Sequence, residues 1–317
     1  MASPVRAKGR GLRADGVTRP FLKWAGGKRQ LLPTLRRFYP ETFNTYFEPF
    51  LGSGAVFFDL HARGLLENRR AMLADGNRDL VACYQTVRDD TDEVIRELSR
   101  LARDHARLGS ALYYDVRDKR FNPERASLSS NGRFSYGPSL AAMFIYLNRT
   151  GYNGLFRLNA DGQFNVPAGR YTAPRICDEP NLRLAAAALT RRTVAVEHLR
   201  FDRLVDRAER GDFVYFDPPY APVSTTARFT SYTAEGFDRE DQEKLRDTMI
   251  ELSRRRCHVV LSNSTAPVIT ELYERNEDVK AAGLRCVTVS ARRAINSNAT
   301  RRGTVEEYVI TNVAECA

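Results

Sequence analysis

No stretch of this 317-residue chain approaches the roughly 20 consecutive apolar residues that a membrane-spanning helix needs. The N-terminus has no apolar segment either. It is rich in Arg and Gly, which is not how a secretory leader begins. Cysteine is sparse: Cys83, Cys177, Cys257, Cys286 and Cys316 form no Cys-x-x-Cys pair. That argues against a zinc site and a disulfide framework and suits a reducing cytoplasm. His61, His105, His198 and His258 show no metal-ligand spacing, so no metal is expected. Internal repeats are absent. Acids are the minority charge, 39 against 49 Lys and Arg, for a net charge of +10. That imbalance favours a polyanionic partner, because each neutralised phosphate releases counterions. A merely basic enzyme would show the same balance. What is present, 43% hydrophobic and 10% aromatic residues, suffices for a real core. The length suits one catalytic core with an inserted or appended module.

Along the chain, residues 1–19 carry Arg6, Lys8, Arg10, Arg13 and Arg19 against Asp15 alone and have no hydrophobic period. They read as a basic disordered arm, a solvated tail or one touching nucleic acid. From Phe21 an α/β pattern begins. Tyr46–Glu48 predicts a strand, then a glycine turn and an apolar helix through Leu60, and Ala71–Ala74 a second strand ending on Asp75. Strands then stop. Apolar residues at helical spacing predict helices over Leu80–Val87, Val94–Leu101, Leu112–Lys119 and Leu140–Leu147. Residues 149–176, rich in Gly, Asn, Arg and aromatics, read as loops with a β-hairpin. Strand signals return at Val194–Val196, Phe213–Phe216, Val259–Leu261, Val287–Val289 and Tyr308–Ile310. Between them Asp238–Leu252 reads as a helix with Asp238 as its cap. The pattern is one sheet interrupted by an inserted domain.

Several constellations carry chemistry. Phe50-Leu51-Gly52-Ser53-Gly54 lies between a strand and a helix, where glycines let a ligand approach the backbone, and Asp75 ends the next strand, where an acid can bind ribose hydroxyls. Phe50, Gly52, Gly54 and Asp75 are therefore candidate nucleoside-cofactor residues. The third glycine of the nicotinamide-dinucleotide fingerprint is missing, which disfavours that cofactor. Asp75 could also simply cap a helix. Val214-Tyr215-Phe216-Asp217-Pro218-Pro219-Tyr220 delivers a carboxylate, two prolines and an aromatic ring from an apolar strand. Prolines fix the backbone and leave their carbonyls as acceptors. Asp217 and the Pro218 carbonyl can each accept one N–H of an exocyclic amino group, freeing its lone pair to meet an electrophilic methyl, and Tyr220 offers a face for an extruded base. Asp217, Pro218, Pro219 and Tyr220 are the candidate catalytic loop. Phe21-Leu22-Lys23-Trp24-Ala25-Gly26-Gly27-Lys28 holds the one tryptophan. It reads equally as an aromatic wall with Lys28 near a carboxylate or as a core Trp before a helix. Tyr146 through Arg157, continuing through Asn159, Asn165, Pro167, Arg170 and Tyr171, interleaves Arg, Asn and Tyr with Gly. Arg suits guanine and Asn suits adenine, and aromatics can fill the gap behind a flipped base. A polar surface loop would look similar. Arg292, Arg293, Asn296, Asn298, Arg301 and Arg302 form a basic loop between two late strands, which suits phosphate contact or a solvated hairpin.

Taken in order, these motifs resemble the Dam family of adenine-N6 DNA methyltransferases (D12 class, alpha group). The resemblance rests on Phe-Leu-Lys-Trp-Ala-Gly-Gly-Lys at 21–28, Glu-Pro-Phe-Leu-Gly-Ser-Gly at 48–54 and Ala-Asp-Gly-Asn at 74–77. It continues in Leu-Asn-Arg-Thr-Gly-Tyr-Asn-Gly-Leu-Phe-Arg at 147–157, Phe-Asn-Val-Pro at 164–167 and Gly-Arg-Tyr at 169–171. Asp-Pro-Pro-Tyr at 217–220 and Ser-Asn-Ser at 262–264 complete it. It covers the chain from residue 20 to about 312.

The resemblance implies a Rossmann-like S-adenosylmethionine-dependent methyltransferase sheet with an inserted helical DNA-recognition domain. Residues 20–77 and 178–317 would be catalytic and 78–177 would recognise the target. It implies S-adenosylmethionine as methyl donor, with Trp24, Lys28, Asp75 and Asp217 on cofactor-contacting positions. It implies double-stranded DNA as partner, contacted by Lys23, Tyr152, Asn153, Leu155, Arg157, Asn159, Pro167 and Tyr171, with Arg170 alongside. In relatives that read GATC the residue matching Arg157 grips a guanine, Lys23 lies near the other outer base pair, and Tyr152 and Asn153 fill or stabilise the gap. GATC is therefore the expected site, and a cytoplasmic monomer associated with the nucleoid the expected form. Thr172 stands where some GATC readers carry Lys, which leaves a longer site beginning with GAT as the alternative. Gly76 replaces a more usual apolar residue, and the arm is extra. Two other readings are cytosine N4 or RNA as target, which Asp rather than Ser at 217 disfavours, and a DNA-binding regulator without activity, which the intact tetrad disfavours.

Overall fold

The computed structural model describes residues 17–24, 26–130, 134–221, 237–292 and 304–315. The short apolar runs become seven strands of one sheet: β1 (Thr45–Glu48), β2 (Arg70–Asp75), β3 (Val194–His198), β4 (Phe213–Phe216), β5 (His258–Ser264), β6 (Arg285–Arg292) and β7 (Thr304–Thr311). Their order is β3-β2-β1-β4-β5-β7-β6. The first five run parallel. β7 lies antiparallel between β5 and β6. Phe213–Phe216 is buried at every position, as a central strand covered on both faces requires. Alternate residues feed two separate cores. Tyr46, Phe213, Tyr215 and Val260 join the larger, and Phe47, Val214, Phe216 and Leu261 the smaller.

Two short helical segments enter the fold, α1 (Leu32–Leu35) and α2 (Ala55–Ala62), the latter following the glycine turn. Among the described residues, the connection from β2 to β3 then carries six α-helices: α3 (Arg78–Asp89), α4 (Thr91–Leu108), α5 (Ser110–Asp115), α6 (Asn122–Ser130), α7 (Pro138–Thr150) and α8 (Glu179–Ala188). The helix expected over Leu112–Lys119 is not regular: α5 ends at Asp115 and a π-helical turn spans Val116–Phe121. Val116 and Phe121 are both fully buried. Their spacing of five is one residue too wide for an α-helical face, and the wider turn brings Phe121 inward. Residues 149–176 form the expected irregular hairpin, bridged at Gly151↔Ala168 and Leu158↔Phe164. After β3 come α9 (Phe201–Val205) and α10 (Arg239–Arg254). Asp238 caps α10, its carboxylate accepting from the Asp241 N–H at 3.0 Å. Among the described residues no helix is long and apolar enough to cross a membrane. The arm before Val17, and the basic loop after Arg292 up to residue 303, lie outside the described residues.

A buried ion pair fastens α6 to α3. Asp79 receives both Arg125 Nε and Nη2, and Tyr136 donates its hydroxyl to the same carboxylate. Asp79 and Arg125 are 2% and 5% exposed, so neither can turn to water. Asp79→Ala leaves a buried guanidinium without a partner. It is expected to lower the unfolding free energy by about 3–5 kcal/mol in a denaturant titration, and a loss under about 1 kcal/mol would mean the pair is effectively solvated.

Candidate active site

The chain runs outward from β1 through β2 to β3 on one side, and from β4 through β5 on the other. The carboxyl ends of β1 and β4 therefore flank the point where strand order reverses, the place where open α/β sheets form a ligand crevice. Glu48-Pro49-Phe50-Leu51-Gly52-Ser53-Gly54 leaves β1, Asp75 ends β2, and Asp217 follows β4.

On the β1–β2 side, Gly52 has φ +47 and donates its N–H to Asp75 Oδ2 at 3.0 Å. Asn77 donates its N–H to the other oxygen at 2.8 Å. A Cβ on Gly52 would stand 2.9 Å from Trp24 Cδ1, so glycine is required both by the left-handed backbone and by the indole against it. Trp24 is thus a wall of the crevice, and only partly buried. Phe50 stacks on Phe201 with centroids 5.3 Å apart and meets Phe237 edge-on. Burial lifts the Asp75 carboxyl to about 6. Beneath the turn, Glu48 Oε2 accepts from Tyr46 Oη at 2.8 Å and from the Phe57 N–H at 3.1 Å. Burial, reinforced by the nearby Asp217 and Asp75, lifts Glu48 to about 8, so it is protonated at neutral pH. A strand-end acid, a turn of bare backbone and an aromatic wall fit a nucleoside cofactor.

Across the crevice, Lys28 Nζ lies 2.8 Å from Asp217 Oδ1 and donates to the Gly26 carbonyl at 2.8 Å. The same ammonium stands over the Tyr220 ring, 4.3 Å from its centroid. Ser262 Oγ reaches Asp217 Oδ1 at 3.3 Å and is itself bonded to Tyr215 Oη. Burial raises the Asp217 carboxyl against the pull of Lys28. The prolines that follow are held unequally. The Pro219 carbonyl accepts from Gln242 Nε2 at 3.2 Å, and Gln242 Oε1 accepts from Asn263 Nδ2, both side chains fully buried. The Pro218 carbonyl takes no hydrogen bond among the described residues, and both described partners of the Asp217 carboxylate reach Oδ1. Among the described residues, Asp217 Oδ2 and the Pro218 carbonyl are two acceptors without a partner.

The segment after α7 is tied to the Trp24 segment by a residue whose role the sequence did not disclose. Buried Asn148 accepts the Lys23 N–H at 2.8 Å and donates to the carbonyls of Lys23 and Gly154 at 2.6 and 3.0 Å. A Cβ on Gly154 would come within 2.5 Å of Lys23 Cβ, so the two strands of chain are in direct contact. Lys23 Nζ lies 3.8 Å from the Tyr171 ring centroid and donates to the Arg149 carbonyl, and Tyr171 Oη donates to the Gly151 carbonyl. Burial and Arg149 lower the Lys23 pKa. Tyr152, Arg157, Pro167, Arg170 and Tyr171 are exposed, and Asn153, Leu155 and Asn159 half-buried. Asn153 adopts the left-handed φ of 54. Arg157 Nε donates to Asn165 Oδ1 at 2.8 Å. Asn159 Oδ1 is occupied by the backbone N–H groups of Asp161 and Gln163, a turn-forming use that leaves its amide nitrogen. Lys23, Tyr171 and the Tyr152–Gly154 turn thus form one face; the same Phe21–Lys28 segment continues into Trp24 and Lys28 in the crevice. Gln242, Asn263, Ser262 and Glu48 join the site without having been singled out. Ser262 and Asn263 belong to the Ser-Asn-Ser motif and Glu48 opens the glycine-turn motif, which was the only available signal.

Comparison with known proteins identifies a family. Residues 24–294 match the D12 class N6 adenine-specific DNA methyltransferase family. The chain is 38% identical over 295 residues to the Type II methyltransferase M1.LlaDCHI of Lactococcus lactis subsp. cremoris, covering 93% of this chain and 95% of the relative. It is 37% identical to the Type II methyltransferase M.MjaIII of Methanocaldococcus jannaschii, with 90% and 95% covered. It is 36% identical to the DNA adenine methylase of Escherichia coli K12, with 92% and 94% covered. A family match over residues 24–294 and likeness to these relatives across nearly the whole chain lead to one conclusion: the protein belongs to the D12 class of adenine-N6-specific DNA methyltransferases.

Proposed function

We propose that the protein methylates N6 of an adenine swung out of double-stranded DNA, within GATC, and that it works as a monomer on nucleoid DNA in the cytoplasm. As a member of its family it takes the methyl group from S-adenosylmethionine, whose sulfonium supplies an electrophilic methyl. The observation that carries the reading is the open pair, Asp217 Oδ2 and the Pro218 carbonyl, at the carboxyl end of β4.

Each open oxygen accepts one N–H of the amino group, which draws the nitrogen lone pair out of the ring. Burial raises the proton affinity of Asp217, which makes it a stronger acceptor. Pro219 and Tyr220 complete the loop, with the Tyr220 ring as stacking surface. Trp24, Lys28, Phe50, Gly52, Gly54 and Asp75 hold the donor, Asp75 toward the ribose hydroxyls. No covalent enzyme intermediate is involved, so catalysis is alignment and charge placement. Residues 78–177 act as the target-recognition domain on a catalytic domain of 20–77 and 178–317. Lys23, Tyr152, Asn153, Leu155, Arg157, Asn159, Pro167, Arg170 and Tyr171 face the DNA, with Arg157 on a guanine. GATC follows from the likeness of the 147–157 segment to that of GATC readers. Sequencing methylated adenines in DNA from cells expressing this chain tests it directly, and methylation confined to a longer GAT-containing site would replace it.

Asp217→Ala is expected to reduce methyl transfer at least about 100-fold while DNA and donor binding persist. Near-normal turnover would remove Asp217 from the chemistry. Arg157→Ala is expected to lose about 1–3 kcal/mol of discrimination at a single guanine in competition binding, whereas uniform weakening on all sequences would make Arg157 a phosphate contact. A pH signature accompanies the site. Glu48 titrates near 8 in the folded chain, above its ordinary range, so the fold favours its neutral form. Its contribution is fully present below the ordinary carboxylate range and is lost as pH rises through about 8. Glu48→Gln removes this loss. Relative to the parent, the variant's melting temperature is expected to rise between pH 6 and pH 9, about in step with that titration, and an unchanged difference would place Glu48's titration elsewhere.

A further inference from the structure

The phenol of Tyr220 takes its partner from the C-terminal end of the chain. Tyr220 Oη donates to Glu307 Oε2 at 2.7 Å. Glu307 sits on β7, directly paired with Ser264 of β5. Ser264 Oγ donates to the Ala221 carbonyl at 2.9 Å, so the same rung of the sheet holds both the ring and the backbone that leaves the loop. Burial, together with Asp217 and Glu307, keeps the phenol protonated far beyond neutral pH, which fixes it as the donor. A hydrogen bond to a carboxylate is shorter and stronger than one to a neutral acceptor. The ring is thus fixed at both ends, by its Cα on the proline-stiffened turn and by its hydroxyl on β7. A phenolic O–H lies in the plane of its ring, so an acceptor at a fixed place also limits rotation about the Cβ–Cγ bond, the freedom that a base stacked on the ring would feel. The Lys28 ammonium covers one ring face at 4.3 Å from the centroid.

We propose that Glu307 is a positioning residue for methyl transfer: from β7 it sets the plane of the Tyr220 ring against which the extruded adenine stacks, with Lys28 on the opposite face. This rests on the reading of Tyr220 as the stacking surface. Glu307 touches neither base nor donor. Its effect passes through one hydroxyl, and removing that hydroxyl makes it redundant.

That redundancy is the test. Tyr220→Phe, Glu307→Ala, Glu307→Gln and the double variant Tyr220→Phe/Glu307→Ala are compared in the full chain. Single-turnover methylation and DNA KM are measured, together with fluorescence of duplexes carrying 2-aminopurine at the target adenine. Tyr220→Phe and Glu307→Ala are each expected to lower the transfer rate about tenfold, with DNA KM within about twofold of the parent, and the double variant to be no slower than either. Both single variants should raise 2-aminopurine fluorescence, the sign of a less firmly stacked base. Glu307→Gln, whose Oε1 still accepts the phenol proton, should recover most of the rate and also guards against a fold defect in β7. Multiplying losses in the double variant, or a fully active Glu307→Ala, overturns the role of Glu307. Tyr220→Ala separates the two levels. Unchanged rate and fluorescence in that variant overturn the stacking reading itself, whereas a slow Tyr220→Ala beside independent Glu307 losses overturns Glu307 alone.

Discussion

The pairing of β1 with β4, through Tyr46↔Phe213 and Phe47↔Val214, is the contact on which the site depends. The paired residues lie 167 positions apart in the chain, yet the strands end side by side, because parallel strands present all their carboxyl ends at one edge of the sheet. The Glu48–Gly54 turn and the Asp217 loop are neighbours for no other reason. The two strands are buried through most of their length, so a slip in register would exchange Tyr46 and Phe213 with Phe47 and Val214 between the two cores. Geometry at the crevice is therefore inherited from packing on both faces of the sheet.

Onto that edge the Phe21–Lys28 segment brings three different surfaces together. Lys23 is held by Asn148 and lies against Tyr171, Trp24 covers Gly52, and Lys28 reaches Asp217. Asn148 thus links the Gly154 carbonyl to the backbone of Lys23, one residue from the indole wall. The Asp79–Arg125 pair ties α6 to α3, the helix that follows Asp75.

The sequence made the strands legible wherever burial on both faces produced an uninterrupted apolar run, as in Phe213–Phe216, and it made the turns legible wherever bare backbone was needed, as at Gly52 and Gly54. It was silent on buried amides and acids whose meaning lies in a remote partner. Asn148 is an ordinary polar residue in an apolar helix until Lys23 arrives from 125 positions away. Gln242 is an ordinary helix residue until Asn263 and the Pro219 carbonyl flank it, and Glu307 has no visible purpose until β7 enters the sheet beside β5. The π turn at Val116–Phe121 was hidden for a related reason: a spacing of five looks like an interruption of a helix unless both residues are known to face one core.

β7 follows every other strand in sequence but occupies an interior place in the sheet, between β5 and β6. During synthesis the chain emerges from its N-terminal end, and β1 to β6 can all leave the ribosome before the strand that must pass between two of them. The hydroxyl of Tyr220 gains its carboxylate partner only at that moment. The glycine turn and the Asp217 loop are complete in sequence long before then, so a nascent or truncated chain can carry every recognisable motif of the enzyme while its tyrosine ring is still free to turn.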